Sequence, residues 1–391
     1  MTELEKAIEL LLMHPIRTGT ETVSLEEGLG RVLAEDVFSD RDVPPFSRST
    51  MDGYACRQKD LPGPLEVLET IEAGRVPGKE LAPGQCSKIM TGAVIPEGSD
   101  CVIMKEYVET EQDGRIRFTA GETDINIHPR GQDLKAGDLL LPKGTRLNPE
   151  HLGIIASSGK LQIAVSGSLK VGILATGSEL VEAGQTPQGA QIRNSNTYQL
   201  AAQVRRAGHS PVSLGIVEDH FEIIAERISA ALEQVDLLVL TGGASVGELD
   251  LVPGVLKHLG FRLEFDRVAM QPGKPVSFAH RNSRCCFGLS GNPVSSFVQF
   301  EMLVRPFLDT CSGMQPAGKR ILVKMAKDFH RRRSDRRFFL PVNFTADGTC
   351  EPVEYHGSGH LHALGKAVGF AEIPAGQQEI LKEDLVHVRL I

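Results

Sequence analysis

Residues 235–250 read VDLLVLTGGASVGELD, an apolar run that stops abruptly in glycine and then turns acidic. The run Leu237, Leu238, Val239 and Leu240 reads as a buried strand, and Thr241-Gly242-Gly243 as the turn that ends it. Glycine lacks the Cβ that would keep an anion away, so the backbone N–H groups of such a turn, continued by Ser245 and Gly247, can approach a phosphate. Asp250 would then stand beside that anion, which is tolerable mainly where a divalent metal bridges the two. Taken alone, the stretch also suits an unliganded strand-to-helix turn.

The same grammar recurs through residues 170–306, where strands alternate with helices. A strand over 171–175 ends in Thr176-Gly177-Ser178-Glu179, and one over 211–217 ends at Glu218-Asp219. Between them a helix capped by Ser195 or Asn196 places Leu200, Ala201, Val204 and Ala207 on one face. A second helix carries Phe221, Ile224, Ala225, Ile228 and Leu232, and another follows Asp250. Then come a strand over 261–265 and a hairpin-like pair over 275–279 and 284–289. The last strand runs into Ser290-Gly291-Asn292-Pro293 and a helix over 294–307. This alternation predicts a doubly wound parallel α/β sheet. All the Ser/Thr-Gly turns and the carboxylates Glu179, Asp219 and Asp250 fall just past C-terminal strand ends, the edge where such sheets bind ligands. Their convergence points to a phosphorylated ligand. Neither GxxxxGK[ST] nor a helix-opening GxGxxG occurs, so P-loop and dinucleotide fingerprints are excluded.

The flanking sequence has a different texture. Residues 4–13 form an amphipathic helix, and Ser24-Leu25-Glu26-Glu27 is a capping-box start that Gly30 interrupts early. Residues 43–55 open with two prolines and read as an ordered loop presenting Ser49, Thr50 and Asp52 before a strand; a solvated connector is the plainer alternative. Short apolar segments at 65–71, 85–90, 99–108 and 116–119 predict a small β module, with Thr91 and Lys105 at strand ends. Residues 126–138 are a polar loop with Arg130 and Asp133. Pro149 opens a helix after Asn148. Strands are expected again at 321–325, 338–344, 357–363, 368–373 and 385–390. The arginines of 331–337 read as a solvated basic loop. His356, His360 and His362 lie among glycines with no acidic or cysteine partner, and read as a loop lining a cleft rather than as a zinc site.

With 391 residues the chain exceeds one comfortable domain. A net charge of −8 argues against non-specific nucleic-acid or membrane-surface binding, and no run approaches the ~18 apolar residues of a span. Seven cysteines without CxxC spacing read as reduced thiols of a cytoplasmic protein.

The ordered set PPFSRSTMDGYA, IMTGAVIPEGSD, ILATGSEL, IRNSN, GIVED, TGGASVGELD, PGKP, GLSGNPVS and GSG resembles the molybdopterin molybdenumtransferase family, the bacterial MoeA and eukaryotic gephyrin E-domain group. The resemblance implies an elongated domain built from residues 1–37 and 132–168, an inserted β domain over 38–131, an α/β molybdopterin-binding domain over 169–316 and a C-terminal β-barrel over 317–391. It implies a homodimer whose cleft lies between the α/β domain of one subunit and the inserted domain of the other. The implied reaction takes adenylylated molybdopterin and molybdate, hydrolyses the phosphate anhydride with release of AMP, and inserts the metal. A MogA-like molybdopterin adenylyltransferase would be the upstream partner.

By the same resemblance Asp219 and Asp250 hold Mg²⁺ against the pyrophosphate. Glu179 lies near the pterin phosphate, to which the stretch from Thr241 to Gly247 supplies backbone donors. Asp52 and Thr91 are presented by the inserted domain, and Asp133 is a further acidic site residue. Lys274, Ser295 and Ser358 gather an oxyanion pocket. The chain departs from the family pattern there: Ser290 stands for a proline and is expected to loosen its turn, Gln271 and Arg267 stand where lysines are usual, and Pro341 stands for an anion-contacting arginine that Arg336 or Arg337 could replace. The alternatives are a paralogue that binds the pterin nucleotide as a carrier or scaffold, and an enzyme that inserts tungstate.

Overall fold

The computed structural model describes residues 1–242, 251–315, 318 and 320–391. Its centre is a six-stranded sheet built from β1 (Lys170–Thr176), β2 (Ser210–Val217), β3 (Leu237–Thr241), β4 (Arg262–Arg267), β5 (Pro275–Arg281) and β6 (Arg284–Leu289). The spatial order is β2-β1-β3-β6-β5-β4. The first four of these are mutually parallel, whereas β5 runs antiparallel to both its neighbours, β6 and β4. The sheet is therefore mixed rather than wholly parallel. Arg281 pairs with Arg284 across only Asn282 and Ser283, with Asn282 at φ +54°, and so short a connection can join only antiparallel strands.

Period-two alternation along β3 explains why its run is apolar throughout. Leu237 and Val239 enter one core with Leu200 and Val204 of the helix Asn196–Arg206, while Leu238 and Leu240 enter the opposite core with Ile224, Ile228, Val252 and Val255. Each fully buried leucine contributes about 1.5–3 kcal/mol. The first helix, Leu4–Leu12, adds Leu4, Ala7 and Leu11 to the first of these cores.

Thr20–Ser24 pairs with Gln162–Ser166, and Val37–Phe38 with Leu139–Leu141, so sequence-distant segments build one elongated unit. Between them the chain passes through the ladder Arg48–Ser49 with Ile127–His128 into a four-stranded sheet. Its order is Glu66–Ile71, Gln85–Ile89, Gly53–Cys56, Cys101–Met104. Gly53 is required there: a Cβ would stand 1.9 Å from the Ile103 carbonyl oxygen. The C-terminal sheet runs from Met270–Gln271 through Arg337–Phe344, Gly369–Ile373 and Leu385–Leu390 to Arg320–Lys324. Met270–Gln271 thus stitches that sheet to the α/β layer.

One local expectation is corrected and another is met. Residues 357–363 form no strand; Gly357 at φ +111° and the 3-10 turn Leu361–Gly365 replace it. The capping box at Ser24 forms, yet opens only the 3-10 turn Leu25–Gly28, because Gly30 at φ +77° ends the helical path. All seven cysteines are free thiols, and among the described residues no helix is long and apolar enough to cross a membrane.

Candidate active site

The chain passes from β1 to β2 and then back past β1 to β3. The C-terminal ends of β1 and β3 are therefore a topological switch point, the crevice where open α/β sheets bind ligands. Thr176 ends β1 and Thr241 ends β3, both buried. Gly242 follows at φ +100°, and a Cβ there would stand 2.0 Å from the Thr176 carbonyl oxygen. Only glycine lets the two turns pass. Asn196 joins the strand ends: its Nδ2 donates to Thr241 Oγ1 and to the Gly291 carbonyl, both at 2.8 Å. By local pattern Asn196 is only a helix cap; its place in IRNSN, between strand and helix at the ligand edge, is the signal of this larger role. Asn196 Oδ1 and Thr176 Oγ1 are buried without a partner among the described residues. Leaving such an atom unpaired costs ~1–3 kcal/mol, so the crevice holds polar capacity that a ligand can use.

The β1 and β2 turns are tied together beside it. Ser178 Oγ accepts the Asp219 N–H at 3.3 Å, and the Gly177 N–H donates to Val217 O at 3.0 Å. The Glu179 carboxylate folds back over Gly177, where a Cβ would meet it at 2.7 Å. Glu179 and Asp219 are exposed, and among the described residues neither has a cationic partner. Two such carboxylates suit a hard cation that takes oxygen ligands, such as Mg²⁺. Gly243, Ser245, Gly247 and Asp250 lie outside the described residues.

Three motifs far apart in sequence meet on the other side of the crevice. Gln299, fully buried, donates from Nε2 to Gly273 O at 3.0 Å and Pro275 O at 2.7 Å, while its Oε1 accepts the Ser290 N–H at 2.8 Å. One side chain therefore pins the Lys274 loop to the turn carrying Gly291, Asn292 and Pro293. Val294 N donates to Ser358 O at 3.0 Å, which seats the Gly-Ser-Gly loop on the start of the helix Pro293–Gln299. Lys274 is half-buried, and its ammonium has no partner among the described residues; Ser295 is buried in the same helix.

Ser290, expected to loosen its turn, makes a hydrogen bond across it. Its hydroxyl accepts the Asn292 N–H at 3.2 Å, a local bond that proline could not make. Pro341 is buried inside a strand, paired with Phe370, and Arg337 is engaged with Glu5 at 2.6 Å. Gln271 Oε1 is buried without a partner among the described residues.

A second cluster lies on the inserted sheet. Asp52 Oδ1 accepts from Thr91 N at 2.9 Å and Thr91 Oγ1 at 2.8 Å, and Lys105 Nζ donates to Oδ2 at 3.1 Å. The Thr91 backbone N–H, then its hydroxyl and then Lys105 hold the Asp52 carboxyl down to about 2, and Asp52 in turn raises Lys105. Lys105, at the end of the strand Cys101–Met104, completes this group. Asp133 sits in the adjoining loop with its Oδ1 3.1 Å from His128 Nε2 rather than joining Asp52. Among the described residues no hydrogen bond or ion pair links this cluster to the α/β crevice of the same chain.

Comparison with known proteins agrees along the whole chain. Residues 2–159 match the MoeA N-terminal region (domain I and II), residues 172–310 a probable molybdopterin binding domain, and residues 323–391 the MoeA C-terminal region (domain IV). The molybdopterin molybdenumtransferase of Bacillus subtilis (strain 168) is 37% identical over 389 residues, covering 95% of this chain and 90% of that one. The enzyme of the same name from Haemophilus influenzae is 35% identical over 376 residues, covering 94% and 93%. The crystal structure of the molybdopterin biosynthesis MoeA protein from Pyrococcus horikoshii OT3 superposes with a TM-score of 0.85 at 30% identity, covering 100% of both chains.

Proposed function

The chain belongs to the MoeA family of molybdenum cofactor biosynthesis, and from that membership we propose a specific molybdenumtransferase reaction. Adenylylated molybdopterin and molybdate enter, the phosphate anhydride is hydrolysed, AMP leaves, and the metal passes to the dithiolene. The observation that supports this most is the switch-point crevice. Unpaired Thr176 Oγ1 and Asn196 Oδ1 lie there with two exposed carboxylates that have no cation among the described residues.

Thr176, Gly177, Thr241 and Gly242, continued by Gly243, Ser245 and Gly247, orient the phosphate by short polar contacts, with Glu179 at its edge. Asp219 and Asp250 are the carboxylates for Mg²⁺, which when bound neutralises charge developing on the leaving phosphate. Lys274, Ser295 and Ser358, with Gly291, Asn292 and Pro293, take molybdate, because an ammonium and hydroxyl donors can replace an oxyanion's hydration. Asp52 and Thr91, with Asp133 nearby, complete the cleft from a second subunit in a homodimer. The lack of any polar link between their cluster and the crevice of the same chain, among the described residues, supports that arrangement. Division into the four domains bounded at residues 37, 131, 168 and 316, a cytoplasmic location and supply by a MogA-like adenylyltransferase complete the proposal.

The test is AMP release from adenylylated molybdopterin by the purified protein with Mg²⁺ and either molybdate, tungstate or neither. Release that depends on molybdate is expected, and Asp219→Asn should raise the Mg²⁺ requirement. Tungstate dependence would identify the other oxyanion. Tight binding of the nucleotide with no release under any condition would replace the enzyme by a carrier, a reading that the buried Pro341 and the engaged Arg337 favour.

A further inference from the structure

Away from the crevice, three side chains converge where the chain leaves its first helix and meets the antiparallel margin of the central sheet. His14 follows the helix Leu4–Leu12, Glu264 lies on β4 and His280 on β5. Both imidazoles present Nε2 to the same carboxylate oxygen, Glu264 Oε1, at 3.0 Å from His280 and 3.9 Å from His14. The rings stack with centroids 3.7 Å apart and planes 20° from parallel. The Glu264 side chain is only 9% exposed, His280 17% and His14 27%, so the group is sheltered yet open on the His14 side. Cys285 Sγ donates to His14 O at 3.6 Å, which fixes the backbone at that residue.

We propose that His14, His280 and Glu264 form a site for a first-row transition-metal dication of the Zn²⁺ type. Their ligand atoms all lie within 4.8 Å of one another. Around a tetrahedral zinc, with Zn–N and Zn–O of about 2.0–2.2 Å, neighbouring ligand atoms stand about 3.3–3.5 Å apart. The observed separations of 3.0 and 3.9 Å bracket that spacing, so small shifts bring all three to one ion. The two rings must fan apart to aim their lone pairs at it, a change about the soft χ2 torsions. Two imidazoles and one carboxylate leave the fourth position to water, and imidazole nitrogen selects Zn²⁺, Cu²⁺ or Ni²⁺ over Mg²⁺. Arg262 Nε now shares Glu264 Oε1 at 3.0 Å; its side chain is 77% exposed and swings into solvent when a dication takes its place. The bound ion would fasten the N-terminal helix to the sheet margin, a structural role separate from the proposed chemistry at the crevice.

The experiment uses full-length protein without a polyhistidine tag, stripped of metal and titrated with Zn²⁺ by calorimetry and with Co²⁺ by visible absorption. One equivalent per chain, the intense d–d bands of a tetrahedral Co²⁺ centre and a higher Tm with Zn²⁺ are expected. His14→Ala and His280→Ala should each weaken binding by more than the roughly 10–100-fold that loss of an outer-shell partner costs. Arg262→Ala should tighten it. Circular dichroism and Tm of each metal-free variant check folding, and His14→Ala, in a partly exposed segment outside the sheet, decides the matter if His280→Ala does not fold. Absence of binding by the unaltered protein overturns the proposal. So does binding that survives in His14→Ala, which would place the ion elsewhere, for instance at the stacked His356 and His360.

Discussion

Asp52 accepts two hydrogen bonds from one residue, the Thr91 N–H at 2.9 Å and the Thr91 hydroxyl at 2.8 Å, both on Oδ1. The second oxygen is left to Lys105 at 3.1 Å. A carboxylate held this way stays ionised, near a pKa of about 2, throughout the working pH range. At neutral pH Asp52 is therefore a fixed negative charge rather than a general acid or base. Asp52→Asn should reduce AMP release by roughly 10²-fold or more with little change in Tm, and no acidic limb of the pH–rate profile above pH 4 should disappear with it. Kinetics across pH for both proteins check this; loss of such a limb in the variant would assign Asp52 a titrating role instead.

Gln299 bonds to three backbone groups on two loops. Gln299→Leu keeps the volume and strands Ser290 N–H, Gly273 O and Pro275 O in a buried place, so stability should fall by about 3 kcal/mol. Lys274 would lose its fixed position, and the molybdate concentration for half-maximal rate should rise at least tenfold, roughly the effect of misplacing a positioning group. Recovery of rate at high molybdate separates this from general damage.

Gly242 cannot be replaced without moving Thr176, because a Cβ would stand 2.0 Å from its carbonyl oxygen at φ +100°. Gly242→Ala should cost about 3 kcal/mol or more from strain and overlap together, and should weaken nucleotide binding as the two turns separate. Gly348→Ala makes a control: it too has positive φ, +80°, but nothing lies within 4 Å of its added Cβ, so it should cost about 1 kcal/mol and leave binding unchanged. Urea denaturation and nucleotide titration compare the two.

His209 supplies a pH dependence. Burial, only partly offset by the Leu308 carbonyl, lowers its pKa from 6.5 to about 4, and its Nδ1 accepts the Leu169 N–H at 3.1 Å. The unfolded imidazole takes up a proton at higher pH than the folded one. The stabilisation is thus complete above pH 6.5, declines as pH falls, and is lost by about pH 4, amounting to ~3 kcal/mol. His209→Asn, which can still accept from Leu169, should flatten that slope. Denaturation midpoints at pH 8 and pH 5 measure it, and an unchanged slope would assign the dependence to other groups.

Much of the architecture was legible because it rests on local pattern. The alternation of Leu237 to Leu240 with flanking helices, and the glycines that end β1 and β3, required only period and turn chemistry to read. The mixed character of the sheet was less so, since the hairpin at Asn282 and Ser283 sets strand direction through two residues. Residues 357–363 show the limit of pattern: their alternation suits a strand, but positive φ at Gly357 prevents it.

The sequence by itself determined which elements form and which residue types stand at strand ends, because hydrophobic period, glycine and proline act over a few residues. Only the tertiary structure decided the partners. That Asn196 reaches Thr241 and Gly291, that Gln299 clamps Gly273 to Ser290, and that His14 stacks on His280 each join residues 45 or more apart, except for the two spanned by Gln299. Such contacts depend on how layers pack in three dimensions, and a buried polar group takes whichever partner the packing brings within hydrogen-bond reach.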